Sequence, residues 1–197
     1  FADVDQDGFM ELIYGGVTVD HDGSILYSSK APLPNGQMAK FGHGDAMHVA
    51  DIDPDRPGLE IFNVFEEASH APYGYALRKA ETGEAIFGEH EAVRDLGRCM
   101  IGDIMDVRGH QCWVNTIGTF DTKGNVLKKE TLGTNMPIRF LPDFSTQILD
   151  GADYLANNGT GVINDWRNGV ILTPQNTATN NGTKGNPCLV ADIFGDY

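Results

Sequence analysis

A chain of 197 residues with 28 acidic and 14 basic side chains has a formal charge of −14, which argues against nucleic-acid partners, since these require a basic surface. The same charge repels acidic polysaccharides unless bound cations or local basic groups reverse the field. A hydrophobic content of 41% with 24 Gly and 9 Pro fits an ordered, turn-rich globular protein with length enough for a core, and no run is apolar enough to span a bilayer.

The first stretch, "ADVDQDGFMELIYGG", places Asp3, Asp5, Asp7, Gly8, Phe9 and Glu11 ahead of strand-forming residues. Alternating Asp side chains in a tight loop converge on one point, and a hard divalent cation relieves their repulsion. Gly8 permits the sharp turn, Phe9 offers its carbonyl and Glu11 closes the shell. The continuation is a strand and not the helix of an EF-hand, so the loop is expected to bind calcium at a strand entrance. A solvated acidic turn is the bland alternative.

Next comes the turn "DHDG" at 20–23 between strand-like stretches, and then "KFGHGDAMHVADIDP". It sets His43, Asp45 and His48 just before a second acidic loop, Asp51, Asp53, Asp55 and Glu60, with one extra residue before its Glu. Calcium is expected there too. His43 and His48 stand open between base, metal ligand and packing residue. "YALRKAETGEAIFGE" and "GTFDTKGNVLKK" each read as two strands around a Gly-containing hairpin loop. Between them, "RDLGRCMIGDI" puts Arg98 ahead of a third loop that keeps Asp103 and Asp106 but lacks the other ligands, so a plain turn is expected.

Cys99, Cys112 and Cys188 are widely spaced, lack zinc-ligand spacing, and the first two have the neighbours of buried thiols. Trp113 and Trp166 read as core, whereas His21, His70, His90 and His110 are expected in solvent-facing turns. "STQILDGADYLA" could hold a helical turn or two. After the turn "RNG" at 167–169 the chain ends on "NNGTKGNPCLVADIFGDY", with Asn181, Gly182, Thr183 and Lys184 preceding a fourth acidic start at Asp192 and Asp196, a weak calcium site as it stands. Asn-Gly also favours a hairpin turn, so this run reads equally as a chain reversal or a binding loop.

The acidic starts Asp3, Asp51, Asp103 and Asp192 are spaced by 48, 52 and 89 residues, the last interval leaving room for one unit without an acidic loop. An acidic loop, a strand, a hairpin and a return strand per period has the size of a β-propeller blade. The expected fold is therefore all-β: an incomplete β-propeller of about three to four blades with calcium-binding loops, one catalytic domain over 1–197 cut at both ends.

"HGDAMHVADIDPDRPGLEIF", "YALRKAETGEAIFGE", "GRCMIGDI" and "TNNGTKGNPCLVADIFGD" resemble bacterial rhamnogalacturonan lyases of polysaccharide lyase family eleven, nearly end to end. The resemblance implies an eight-bladed, calcium-dependent propeller, secreted or surface-exposed, acting on the rhamnogalacturonan backbone of pectin. It implies sugar binding by Asn181, Gly182 and Thr183 and a basic role for Lys184. "NVFEE" departs from the pattern, since Phe65 stands where a His is expected beside Glu66. Uronate elimination needs the carboxylate neutralised and a base at C5. Lys184 can act as that base or pair with the uronate. Arg98 can neutralise but is a poor base, and its bland role is packing. A calcium-dependent propeller that binds glycan or protein without catalysis is the alternative; its repeats share the first-loop motif but do not need "NNGTKGNP" or "HGDAMH".

Overall fold

The computed structural model describes residues 1–66, 71–90, 95–150 and 161–174, together with Ala191 and Gly195. Among these residues every regular element is a strand. The first sheet holds β1 (Leu12–Tyr14), β2 (Val17–Val19) and β3 (Ile25–Ser28), and a two-stranded sheet follows with β4 (Lys30–Pro32) and β5 (Met38–Lys40). Three four-stranded sheets come next. They are β6 (Met47–Ala50) to β9 (Ala85–Glu89), β10 (Cys99–Gly102) to β13 (Val126–Lys128), and β14 (Met136–Ile138) to β17 (Gly169–Leu172). Strand order follows chain order in every sheet, so strands that follow one another in the chain lie side by side.

Two compact units divide the chain: residues 1–101 with 107–131, and residues 102–106 with 132–197. In the first unit β7 (Glu60–Val64) and β8 (Tyr75–Lys79) are interior strands, buried along nearly their whole length. Phe62, Val64, Tyr75 and Leu77 on these strands join Ile52, Cys112, Val114 and Phe120 in one apolar cluster. At about 25 cal/mol per Å² of apolar area, such fully buried side chains stabilise by about 1.5–3 kcal/mol each. Phe41, Phe65 and Ala76 form a second cluster, and Val4, Ile13 and Ile61 a third beneath the first acidic loop.

Both hairpins expected from the sequence are present. Leu77 pairs with Phe87 across β8 and β9, and Thr119 pairs with Lys128 across β12 (Gly118–Phe120) and β13. Cys99 and Cys112 are free, buried thiols, and burial pushes both up, so neither is a thiolate at neutral pH. Trp113 is fully buried. One expectation fails: the start of "STQILDGADYLA" is not helical. Gln147–Asp150 form β15, where Leu149 pairs with Met136 and with Ile163. Cross-strand partners on both sides outweigh a weak local helical preference. Two histidines also depart from expectation. His90 and His110 are half-buried, and the His90 ring contacts the Pro72 carbonyl at 3.1 Å.

Candidate functional site

Four loops share a device that the carboxylate pattern alone does not reveal. At the entrance of the strand after each loop stands a fully buried Glu or Gln: Glu11, Glu60, Gln111 and Gln147. Glu11, Glu60 and Gln147 accept backbone N–H bonds from the loop before them. Val4 N donates to Glu11 Oε2 at 2.6 Å; Ile52 N and Asp53 N donate to Glu60 Oε2 at 2.9 and 3.0 Å. Phe140 N and Leu141 N donate to Gln147 Oε1 at 2.8 and 3.1 Å. Gln111 donates to the carbonyls of Val107 and Gly109, at 3.1 and 2.8 Å. Gly8, Gly58 and Gly109 turn the first three loops at φ 95°, 87° and 83°, a region costly for other residues.

What differs is the neutralisation of each loop. In the first, Asp3 accepts from Asp7 N and Gly8 N, both at 3.1 Å, and Asp7 accepts from Phe9 N at 2.8 Å. One oxygen each of Asp3, Asp5 and Glu11 lies within 4.8 Å of the others, and Asp7, Glu11 and His21 form a second such group. Glu11 Oε1 is buried with no hydrogen-bond partner among the described residues. A buried carboxylate oxygen left bare costs several kcal/mol, and a hard cation is the ligand that would compensate it. The donor set fits calcium. The Phe9 ring stacks on His21 with centroids 4.4 Å apart, so this histidine, exposed as expected, also packs against the loop.

The second loop carries its own cation. That loop contains Arg56, whose Nη1 lies 3.3 Å from Glu60 Oε1 and whose Nη2 lies 3.1 Å from Asp53 Oδ2. Arg108 forks onto Asp55, with Nη2 2.8 Å and Nε 2.9 Å from Oδ1, and holds that carboxyl below the usual range. Asp51 is exposed. The expected calcium ligands Asp53, Asp55 and Glu60 are thus partnered by guanidinium groups, and they do not converge with Asp51 on a common point. Gln111 and Gln147, being amides, bring no buried charge to their loops.

The first unit also holds a pocket of about 500 Å³, lined by Tyr14, Gly15, Phe41, His43, Asp45 and Asn63 among others. At its rim, oxygens of Asp45, Glu66 and Asp95 lie within 4.8 Å of one another, and His43 Nε2 is 3.5 Å from Glu66 Oε2. Backbone pairing builds this cluster. Glu66 N donates to the His43 carbonyl at 2.9 Å, and Val64 N to that of Ala46 at 3.2 Å. Gly44 lies so close to β7 that a Cβ there would come to 1.8 Å from the Val64 carbonyl oxygen. Phe65, in the place expected for His, is buried, its ring 4.6 Å from that of Phe41. Glu66 nonetheless joins a carboxylate group, with His43 supplying the imidazole.

His48 stands apart from that cluster. Its Nε2 lies 3.0 Å from the Cys99 carbonyl, which requires the proton on that nitrogen and so removes it as a ligand atom. Burial holds His48 below its ordinary value. Arg98 is half-buried, and its carbonyl accepts from Asn115 N at 3.3 Å. Asn181, Gly182, Thr183, Lys184, Asp192 and Asp196 lie outside the described residues. Asp95 was missed from the sequence; nothing but its nearness to Asp45 and Glu66 in the fold marks it.

Sequential antiparallel sheets, acidic loops at strand entrances and a carboxylate group beside a pocket define an all-β protein. The chain belongs to rhamnogalacturonan lyase family 11: the profile of that family's C-terminal domain matches residues 1–197. It is 41% identical to rhamnogalacturonan exolyase YesX and 39% identical to rhamnogalacturonan endolyase YesW, both of Bacillus subtilis, with all of this chain aligned. The chain spans 32% and 29% of the length of these two relatives. Among solved structures, a Bacillus licheniformis rhamnogalacturonan lyase superposes with a TM-score of 0.80 at 40% identity, covering 99% of this chain and 31% of that one. The crystal structure of YesW gives 0.77 at 37% identity, covering 94% and 29%.

Proposed function

We propose that this chain forms part of the catalytic domain of a calcium-dependent rhamnogalacturonan lyase, built as a β-propeller and acting outside the cell on the rhamnogalacturonan backbone of pectin. The observation that carries the reading is the Asp45, Glu66 and Asp95 group with His43 on the rim of the 500 Å³ pocket. Family membership and the names of the relatives support the activity and substrate. Three sequential four-stranded sheets support the blade reading. A polymeric substrate too large to enter a cell supports a secreted or surface location.

Elimination at a galacturonate removes the C5 proton, forms the C4=C5 double bond from that electron pair and breaks the C4–O bond, with a proton delivered to the departing oxygen. A divalent ion held by Asp45, Glu66 and Asp95 would supply positive charge beside the substrate carboxylate. In this reading Lys184 serves as base or as uronate partner, Arg98 as a second cation, and Asn181, Gly182 and Thr183 as sugar-binding groups. Asp3, Asp5, Asp7 and Glu11 would hold a structural calcium.

The test is the ultraviolet absorbance of unsaturated uronate when the full-length protein meets rhamnogalacturonan with calcium. Growth of that signal, lost in Lys184→Ala, supports the reading. Binding of the polymer without product would leave a non-catalytic glycan-binding protein in its place.

A further inference from the structure

Arg78 is the fourth residue of β8 and is fully buried. Its Nη1 donates to Ser29 Oγ at 2.6 Å, and its Nη2 donates to the Gly15 carbonyl at 2.8 Å and to Asn63 Oδ1 at 3.0 Å. The guanidinium also lies 5.4 Å from the Phe41 ring centroid and 5.7 Å from that of Phe65. Every one of these partners is neutral. Arg56, Arg108 and Arg167 each pair with a carboxylate, although all three are more exposed. Arg78 has no carboxylate partner among the described residues, and its Nε is buried without a hydrogen bond. Burial brings it down to about 10, so it remains charged at neutral pH.

An uncompensated buried cation is costly, and an apolar side chain would fill the same space more cheaply. Its surroundings show what the charge can serve. Gly15, Phe41 and Asn63 touch Arg78 and also line the pocket. Because Arg78 occupies Asn63 Oδ1, the group Asn63 retains for a ligand is its amide donor, whose contact with the Val64 carbonyl is a long 3.5 Å. Asp45 lies on the same pocket. The cavity is therefore polarised, with a donor backed by a cation at Asn63 and carboxylates at the rim.

We propose that Arg78 is a positioning residue that, acting through the Asn63 amide, makes this pocket selective for a carboxylate-bearing sugar. The inference deepens the lyase reading and rests on it for the identity of that sugar as a uronate. A neutral sugar gains little from the positive floor, whereas a uronate carboxylate gains a charge-assisted bond, worth roughly a tenfold preference.

The test uses the full-length protein with calcium present, and two probes: a galacturonate-containing rhamnogalacturonan oligosaccharide and the same oligosaccharide with its carboxyls reduced to alcohols. Calorimetry reads both affinities. Asn63→Asp gives Arg78 a carboxylate at the existing contact, so it is expected to raise Tm while cutting the preference for the acidic probe about tenfold. Arg78→Lys loses the fork and is expected to cut that preference with the affinity for the reduced probe held within about twofold. Stability and acidic-probe affinity moving in opposite directions is a signature that a purely structural arginine does not give. Equal weakening of both probes, or an unchanged preference in Asn63→Asp, overturns the inference. A wild-type protein that prefers the acidic probe but releases no unsaturated product sinks the lyase reading and leaves Arg78 in place.

Discussion

Arg56 Nη1 lies 3.3 Å from Oε1 of Glu60, a carboxylate with no exposure to solvent. The counterpart of that oxygen in the first loop, Glu11 Oε1, is equally buried and has no hydrogen-bond partner among the described residues. One arginine thus separates a loop whose buried Glu oxygen is partnered from one whose buried Glu oxygen is bare. Removing Arg56 strands Glu60 and Asp53 together. Arg56→Ala is expected to lower stability in chelator by about 3 kcal/mol, near the low end for breaking a buried pair because Arg56 itself is half-buried. Calcium is expected to restore part of that loss, through a loop that has become a site. Denaturant melts with chelator and with calcium check both statements; equal destabilisation in the two conditions would refute the surrogate role.

Glu11→Gln follows from the same comparison. The chain already tolerates an amide at this position, in Gln111 and Gln147. The variant is therefore expected to fold in chelator at least as well as wild type, since it buries no bare charge. It should also lose the stabilisation that calcium gives the first loop, about 2.7 kcal/mol at a hundredfold excess over Kd. Thermal melts against calcium concentration read the difference.

Gly44→Ala tests how the carboxylate group is assembled. A Cβ at 1.8 Å from the Val64 oxygen forces the His43–Asp45 backbone off β7, and Asp45 moves with it. Overpacking of this kind costs about 1–3 kcal/mol. The expected result is a folded protein with at least tenfold weaker turnover, since misplacing such groups by about 1 Å costs up to a hundredfold. Lyase assays beside denaturant curves separate the two effects.

The sequence shows the first acidic loop and the hairpins because their signals are local. The Asp3-x-Asp5-x-Asp7-Gly8 spacing and the Gly-centred turns fix backbone shape within a few residues. The pairing of the second loop is a different matter, since Arg56 looks like one more loop residue until its side chain is seen to reach Asp53 and Glu60. A search for acidic residues also passes over Gln111 and Gln147, although the apolar pairs after them, Cys112-Trp113 and Ile148-Leu149, match Leu12-Ile13 and Ile61-Phe62. That shared strand-entrance pattern is the signal that finds the four-loop device. Asp95 and Arg78 carry none, because their roles come from residues 50 and 63 positions away in the chain, Asp45 and Gly15.

His48 gives the chain a pH dependence with a definite sign. Burial, the largest cause, holds its folded-state pKa below the ordinary 6.5, with a smaller opposing effect from its bond to the Cys99 carbonyl and some repulsion from Arg98. Between the two pKa values the unfolded chain binds a proton that the folded one does not. The contribution is therefore fully present above pH 6.5, declines as pH falls through that value, and levels off below the folded pKa. His48→Gln keeps a donor for the Cys99 carbonyl and has nothing to titrate. Denaturant unfolding in chelator at pH 7.5 and 5.5 should show the wild type losing more stability than the variant across that interval. Equal losses in the two proteins would mean that His48 is as readily protonated folded as unfolded, contrary to the cost of placing an imidazolium between β6 and β10.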